Sequence, residues 1–151
     1  MNFNNFTIKS QEAVQEAVNL VQSRGQQAIE PEHLMAGLLK VGENVTNFIF
    51  QKLGINGQQI ETVLDRQIAS LPKVSGGEAY LSRSANEVLQ KAVEVSKELG
   101  DEYVSLEALL LALLNVKSTV ATILKDAGLT DKELRAAIQE LRQGQKVTSQ
   151  S

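Results

Sequence analysis

FTIKSQEAVQEAVNLVQSRGQQAIEPEHLMAGLL, Phe6 to Leu39, decides the fold, because a weaker copy of it returns after a shift of about 75 residues, over Tyr80 to Leu114. With Gly25 set on Gly100, identical residues meet at Glu12/Glu87, Gln15/Gln90, Ala17/Ala92, Val18/Val93, Glu32/Glu107, Leu34/Leu109, Leu38/Leu113 and Leu39/Leu114. Thr7 meets Ser82, and Ile29 meets Val104. A glycine and a glutamate stay in register with the apolar stripe on both sides, which marks an internal duplication.

Within the copied unit, Ala13, Val14, Ala17, Val18 and Val21 recur at the three-and-four spacing of an amphipathic helix over Ile8 to Arg24. Thr7 can cap its start and Gly25 suits the left-handed closing position. Pro31 fits the first turn of a second helix running to about Lys40, where its missing amide is no loss. After Gly42, Val45, Phe48, Ile49 and Leu53 carry a third helix to Gly54, and Ile60, Val63, Leu64 and Ile68 a fourth from Asn56. Leu71-Pro72-Lys73-Val74-Ser75-Gly76-Gly77 breaks the period and reads as the connector between halves.

The second half repeats the programme. Ser82 caps a helix closed by Gly100. Ser105 caps Leu106 to about Asn115, which is apolar all round and so expected to be the more deeply buried of its pair. Val120, Ile123, Leu124 and Ala127 form a seventh helix, and Thr130 with Glu133 makes a capping box for an eighth lined by Leu134, Ala137, Ile138 and Leu141. No stretch shows the strict alternation of a half-buried strand. The expected fold is all-α: eight helices in two pseudo-twofold-related four-helix repeats, about 6–71 and 81–143, sharing one core. Residues 144–151 have too little apolar content to hold themselves down and read as a flexible linker.

Composition narrows the function. At 151 residues with no cysteine, the chain has neither disulfides nor thiolate chemistry, which suits a reducing, cytoplasmic setting. The longest apolar run, Ala108 to Leu114, is far short of the roughly 18 residues of a membrane span. A net charge of -3 with 4% aromatic residues lacks the footprint of a nucleic-acid binder. The single histidine, His33, faces Ala108 in the repeat, so the duplication requires no imidazole there and a surface or capping role is expected. Neither a metal site nor a phosphate-cradling Gly-x-x-x-x-Gly-Lys motif is present.

Two features rise above ordinary surface and core. Glu32 and Glu107 occupy equivalent first turns, where the helix dipole favours a carboxylate and where an acid beside a capping hydroxyl can also receive a cationic group. A pseudo-twofold that sets the first helix start against the second half would bring Thr7 near Asp101 and Glu107, and its mirror would bring Ser82 near Gln26 and Glu32. Leu20 and Val95 lie at the edges of their stripes, either as core margin or as the floor of a shallow apolar groove.

The run Phe6-Thr7, then Ile29-Glu30-Pro31-Glu32-His33-Leu34-Met35 and Gly37-Leu38-Leu39, with its echo Gly100 to Glu107, resembles the Clp N-terminal repeat domain over residues 3 to about 143. Ile29-Glu30-Pro31 and Leu71 to Gly76 resemble the ClpB-type disaggregases in particular. The resemblance implies a non-catalytic domain of a hexameric ATP-driven unfoldase. Such a domain engages unfolded or aggregated chains; a linker joins it to ATPase modules that bind ATP and Mg²⁺, and a middle region of the longer protein works with the DnaK system. It further implies functional roles for Thr7, Asp101 and Glu107, beside an apolar groove at positions matching Lys91, Val95 and Ala108. Here the chain departs from the pattern, since Lys91 and Ala108 are less apolar than the large aliphatics expected. The alternative is a ClpC- or ClpA-type domain that binds adaptors or phosphoarginine-marked substrates through the Thr7/Ser82 hydroxyls and the Glu32/Glu107 acids.

Overall fold

The computed structural model describes residues 2–151, and among them the chain forms eight helices. In order these are α1 (Ile8–Ser23), α2 (Pro31–Val41), α3 (Glu43–Leu53), α4 (Gly57–Ser70), α5 (Arg83–Glu98), α6 (Leu106–Asn115), α7 (Thr119–Asp126) and α8 (Asp131–Arg142). No single helix among the described residues is long and apolar enough to cross a membrane.

Six of the eight helices, all but α2 and α3, start where a Ser, Thr or Asn side chain supplies an acceptor for the orphan amides of the first turn. The Oγ of Ser82, Ser105 and Ser118 accept from Ala85, Ala108 and Ala121 N–H at 3.0, 3.1 and 3.2 Å, and Thr7 Oγ1 accepts from Ser10 N–H at 3.1 Å. The first helix of each half ends in the same six-to-one closure: Gln26 N–H donates to the Val21 carbonyl and Asp101 N–H to the Ser96 carbonyl. Both closures turn on a positive-φ glycine, Gly25 at 67° and Gly100 at 75°.

One continuous core runs through both halves, from Phe6, Leu34, Leu38 and Leu64 in the first to Leu89, Leu109, Leu113 and Ile138 in the second. Helix α6 lies at its centre, with every residue from Leu106 to Leu114 buried. The apolar surface all round that helix leaves it no face to give to water. Helix α2 packs closely on α1, and Gly37 makes this possible: a methyl group there would overlap the Ala13 carbonyl oxygen.

Two short pairings tie the halves together crosswise. Strand β1 (Ala28–Ile29) pairs in parallel with β2 (Tyr80–Leu81), Ile29 opposite Leu81, and an isolated parallel bridge joins Phe6 to Val104. In the repeat alignment Phe6 corresponds to Leu81 and Val104 to Ile29, so the bridge is the symmetry mate of the ladder. Thr7 N–H donates to the Val104 carbonyl and Ser82 N–H to the Ile29 carbonyl, both at 3.0 Å. Sequence patterning could not announce these strands, because two residues are too few to alternate.

The segment after α8 corrects the expectation of a free linker. Residues 145–150 are laid against the loop after α5 and against the N-terminal segment, held by polar bonds from Lys146, Val147 and Gln150. Apolar content is therefore the wrong criterion for this segment, whose contacts are almost all to main-chain groups.

Candidate functional site

The loop from Gly100 to Ser105 carries the most concentrated polar cluster in the molecule. The turn at Gly100 aims the Asp101 carboxylate inward, and the cap at Ser105 starts α6 so that Glu107 stands beside it. Between them reaches Arg142, from the last residue of α8. Its Nη1 and Nη2 donate to the two Asp101 carboxylate oxygens at 3.0 and 2.8 Å, its Nε to Glu107 Oε2 at 2.9 Å, and Nη2 also to Ser105 Oγ at 2.9 Å. The Arg142 side chain is 6% exposed, Asp101 0% and Glu107 11%. Burial works against the guanidinium charge, yet the hydrogen bonds and charges of Asp101 and Glu107 hold its pKa above the ordinary value.

Arg142 is the member of this cluster that sequence reasoning missed. The signal available was a lone basic residue at the end of a helix whose inward positions Leu134, Ala137 and Ile138 are apolar. Its presence changes what the acids can do. Asp101 and Glu107 are brought together as expected, but their charge is already matched from within the chain, so they do not present an open receptor for a cation. Thr7 joins this cluster only through the backbone bond to Val104. Among the described residues its hydroxyl bonds Ser10, donating to Ser10 Oγ at 2.9 Å.

The mirror site in the first half uses different chemistry. Gln26 stands where Asp101 stands, His33 where Ala108 stands and, counting from the caps Asn56 and Thr130, Ile68 where Arg142 stands. Gln26 Nε2 donates to the Ile68 carbonyl at 2.7 Å, and its Oε1 lies 2.7 Å from His33 Nε2. Glu30 N–H donates to His33 Nδ1 at 2.9 Å, so the imidazole is neutral with its proton on Nε2. Burial, assisted by the charge of Arg24, lowers the His33 pKa to about 4. The capping role expected of His33 is found, whereas the surface alternative is corrected: the ring is fully buried. Glu32 is also buried and, among the described residues, has no ion-pair partner. Burial raises its pKa, opposed by a bond to its own backbone and assisted by the charge of Glu30. Ser82 caps its own helix and reaches Ile29 only through its amide, so Ser82, Gln26 and Glu32 do not converge on a common opening.

The apolar groove is a second correction. Val95 and Ala108 are both 0% exposed, packed into the core where α5 meets α6. The stripe of α5 is wide enough to bury Val95 because α6 offers apolar surface on every side. Lys91 stays half-exposed and pairs with Glu94 at 3.7 Å. Open concave surface lies elsewhere: a cleft of about 870 Å³ between α2, α3 and α4, with Leu39, Phe50, Ile55 and Leu64 among its walls. A second hollow of about 640 Å³ lies between the end of α1 and the connector, touching Val18, Gln26, Val74 and Ala79. Among the described residues no group of acids, histidines or cysteines is placed to hold a metal ion.

Comparison with known proteins fits this architecture. The model of the family described as Clp repeat (R) N-terminal domain matches residues 5–127. Chaperone protein ClpB of Bacteroides thetaiotaomicron is 80% identical over 151 residues, which is 100% of this chain and 18% of the relative. Chaperone protein ClpB of Porphyromonas gingivalis is 52% identical over the same shares of the two chains. The chain thus spans 18% of the length of these curated relatives. Among solved structures, the Hsp104 N-terminal domain from Candida albicans aligns with a TM-score of 0.85 over 98% of each chain at 23% identity. A ClpV N-domain in complex with a VipB peptide aligns with a TM-score of 0.77 over 99% of this chain and 92% of that one, at 18% identity. These two likenesses bear on the fold, and the sequence matches on the family. From the duplicated four-helix unit, the crosswise pairing of its halves and these matches together, the chain belongs to the Clp repeat N-terminal domain family.

Proposed function

We propose that this chain is the non-catalytic, substrate-engaging N-terminal domain of a ClpB-type protein disaggregase, binding unfolded or aggregated polypeptide for delivery to the pore of a hexamer. The observation that carries the reading is the 80% identity to a ClpB chaperone over the whole chain. In this reading residues 1–143 are the domain and 144–151 lead to ATPase modules outside the chain. Those modules would hold ATP and Mg²⁺, and cooperation with the DnaK system would run through a middle region also outside the chain. The isolated domain would be a monomer.

The ClpV N-domain with a bound peptide supports peptide engagement as something this fold can do. Thr7, Asp101 and Glu107 keep a place in the proposed site, but as parts that shape the loop from Gly100 to Ser105: Arg142 has already taken up the acids, so a substrate cation is not what they select. Contact through such a small polar surface must offset the ordering of an unfolded chain, which sets the affinity at roughly micromolar or weaker.

The test is titration of fluorescently labelled, reduced and carboxymethylated α-lactalbumin with the 151-residue chain, read by anisotropy, with the native protein as control. Binding of the unfolded form alone is expected. In the full-length protein, Thr7→Ala and Glu107→Ala should lower recovery of a heat-aggregated enzyme while ATP hydrolysis continues. Equal affinity for native and unfolded forms, or undiminished recovery in both variants, would refute the assignment.

A further inference from the structure

Residues 145–150 are held on the domain as a polypeptide ligand would be. Lys146 Nζ donates to the Leu99 carbonyl at 3.0 Å, against the C-terminal end of α5, where a cation is favoured. Val147 N–H donates to Asp101 Oδ1 at 3.0 Å, and Glu102 N–H returns a bond to the Val147 carbonyl at 2.8 Å. Ile8 N–H donates to the Gln150 carbonyl at 2.8 Å, while Gln150 Nε2 donates to the Asn4 and Phe6 carbonyls at 2.6 and 3.2 Å. On the domain side every partner except Asp101 is a main-chain group. Of the six residues only Val147 and Gln150 are even partly buried.

The surface that receives this segment is built rather than incidental. Arg142 fixes the Asp101 carboxylate through two hydrogen bonds, so its acceptor is oriented before any strand arrives. Ile8 begins α1, and the amides of a first turn have no partner within their own helix. In the first half a segment also crosses the equivalent loop, through different bonds. This is the connector, with Val74 N–H donating to the Gly25 carbonyl at 3.0 Å and Gln27 Nε2 to the Glu78 carbonyl at 3.2 Å.

We propose that the edge formed by Asn4–Ile8 and Leu99–Glu102 is a docking site for extended polypeptide, occupied in cis by residues 145–150 until an unfolded segment takes over their hydrogen bonds. The proposal rests on the substrate-engaging reading above and specifies where and how that engagement occurs. Recognition is through the backbone, by the logic of adding a strand to an exposed edge. The incoming segment must offer two free carbonyls three residues apart and a free N–H at the first of them, so proline is excluded there. A basic side chain just before that residue is favoured by the α5 terminus, and acidic segments are disfavoured by the exposed Glu102. Weak sequence preference with a bias toward basic, proline-free stretches is what a domain handling many unfolded chains requires.

The experiment compares the 151-residue chain with a variant carrying Lys146→Ala, Val147→Pro and Gln150→Ala, and with Gln150→Ala alone, after thermal melts establish that each is folded. Two probes are used: the acetylated peptide of residues 145–151 added in trans, and the carboxymethylated α-lactalbumin above. Binding is followed by anisotropy and by the amide resonances of Ile8 and Glu102. If the edge is open for about a fifth of the time or less in the wild type, the triple variant binds both probes about fivefold or more tighter. The peptide then shifts Ile8 and Glu102 and the unfolded protein displaces it, with Gln150→Ala intermediate. Equal affinity of wild type and variants for the unfolded protein, with no shift at Ile8 and Glu102, overturns this inference and leaves the substrate-engaging reading in place. Peptide binding that the unfolded protein cannot displace overturns it as well. Unfolded protein binding to none of the three overturns both.

Discussion

Arg142 and Asp101 meet through two parallel N–H···O bonds of 3.0 and 2.8 Å, with the carboxylate fully buried and the guanidinium nearly so. A buried pair of this kind gives modest net stability against an apolar replacement of both partners, yet is costly to break from one side. Removing the arginine strands two carboxylates, Asp101 and Glu107. Arg142→Ala is expected to cost about 3–5 kcal/mol in urea denaturation. Arg142→Lys should fall between, because an ammonium keeps the charge but cannot bridge both acids with a planar fork. A loss under about 1 kcal/mol for Arg142→Ala would show that the cluster relaxes into water.

Val95 tests the corrected groove. With no exposed surface at this position, Val95→Asp places a carboxylate in the core and is expected to unfold the domain or lower its melting temperature sharply. Val95→Ala should cost about 1–3 kcal/mol through the cavity it leaves. A Val95→Asp variant that melts like the wild type would return this position to the surface.

His33 and Glu32 make stability depend on pH with opposite signs. The folded His33 pKa, about 4, lies below its ordinary value of 6.5, so the unfolded chain takes up the proton first. Its contribution is present above about pH 6.5 and is lost as pH falls toward 4, by up to about 3 kcal/mol. The raised pKa of Glu32 acts the other way: its burial is destabilising at neutral pH and is relieved as the carboxyl protonates. Denaturation at pH 7.5 and 5 should show a less stable domain at pH 5. Glu32→Gln should raise stability at pH 7.5 and widen the difference, and a wild type equally stable at both pH values would contradict the assignment for His33.

Gly37 and Gly25 separate crowding from backbone conformation. Gly37→Ala drives a methyl into the α1 backbone at Ala13 and is expected to cost about 2 kcal/mol or more, since two packed helices must part. Gly25→Ala meets no atom within 4 Å and should cost only about 1 kcal/mol, for a residue with a side chain held at φ 67°. Thermal melts of the two variants would rank them in that order.

Much of this architecture follows from the amino-acid order alone, because the interactions that specify it are local. A hydroxyl three residues before an orphan amide, a glycine just past a helix and an apolar side chain every three or four positions act within one or two turns. The helix count, the caps, the Gly25 and Gly100 closures and the burial of α6 were therefore legible, and so was the duplication that predicts a twofold. Three features were decided only by the tertiary structure: the Arg142 cluster, the pairing of Phe6 with Val104, and the docking of residues 145–150 on Asn4–Ile8. Each joins groups dozens of residues apart or more. Asp101 and Gln26 occupy equivalent positions in the repeat, yet one meets a guanidinium and the other a carbonyl and an imidazole. The same twofold delivers Arg142 to one loop and Ile68 to the other, so what each site can bind is set by its long-range partner, which the spacing of residues along the chain does not encode.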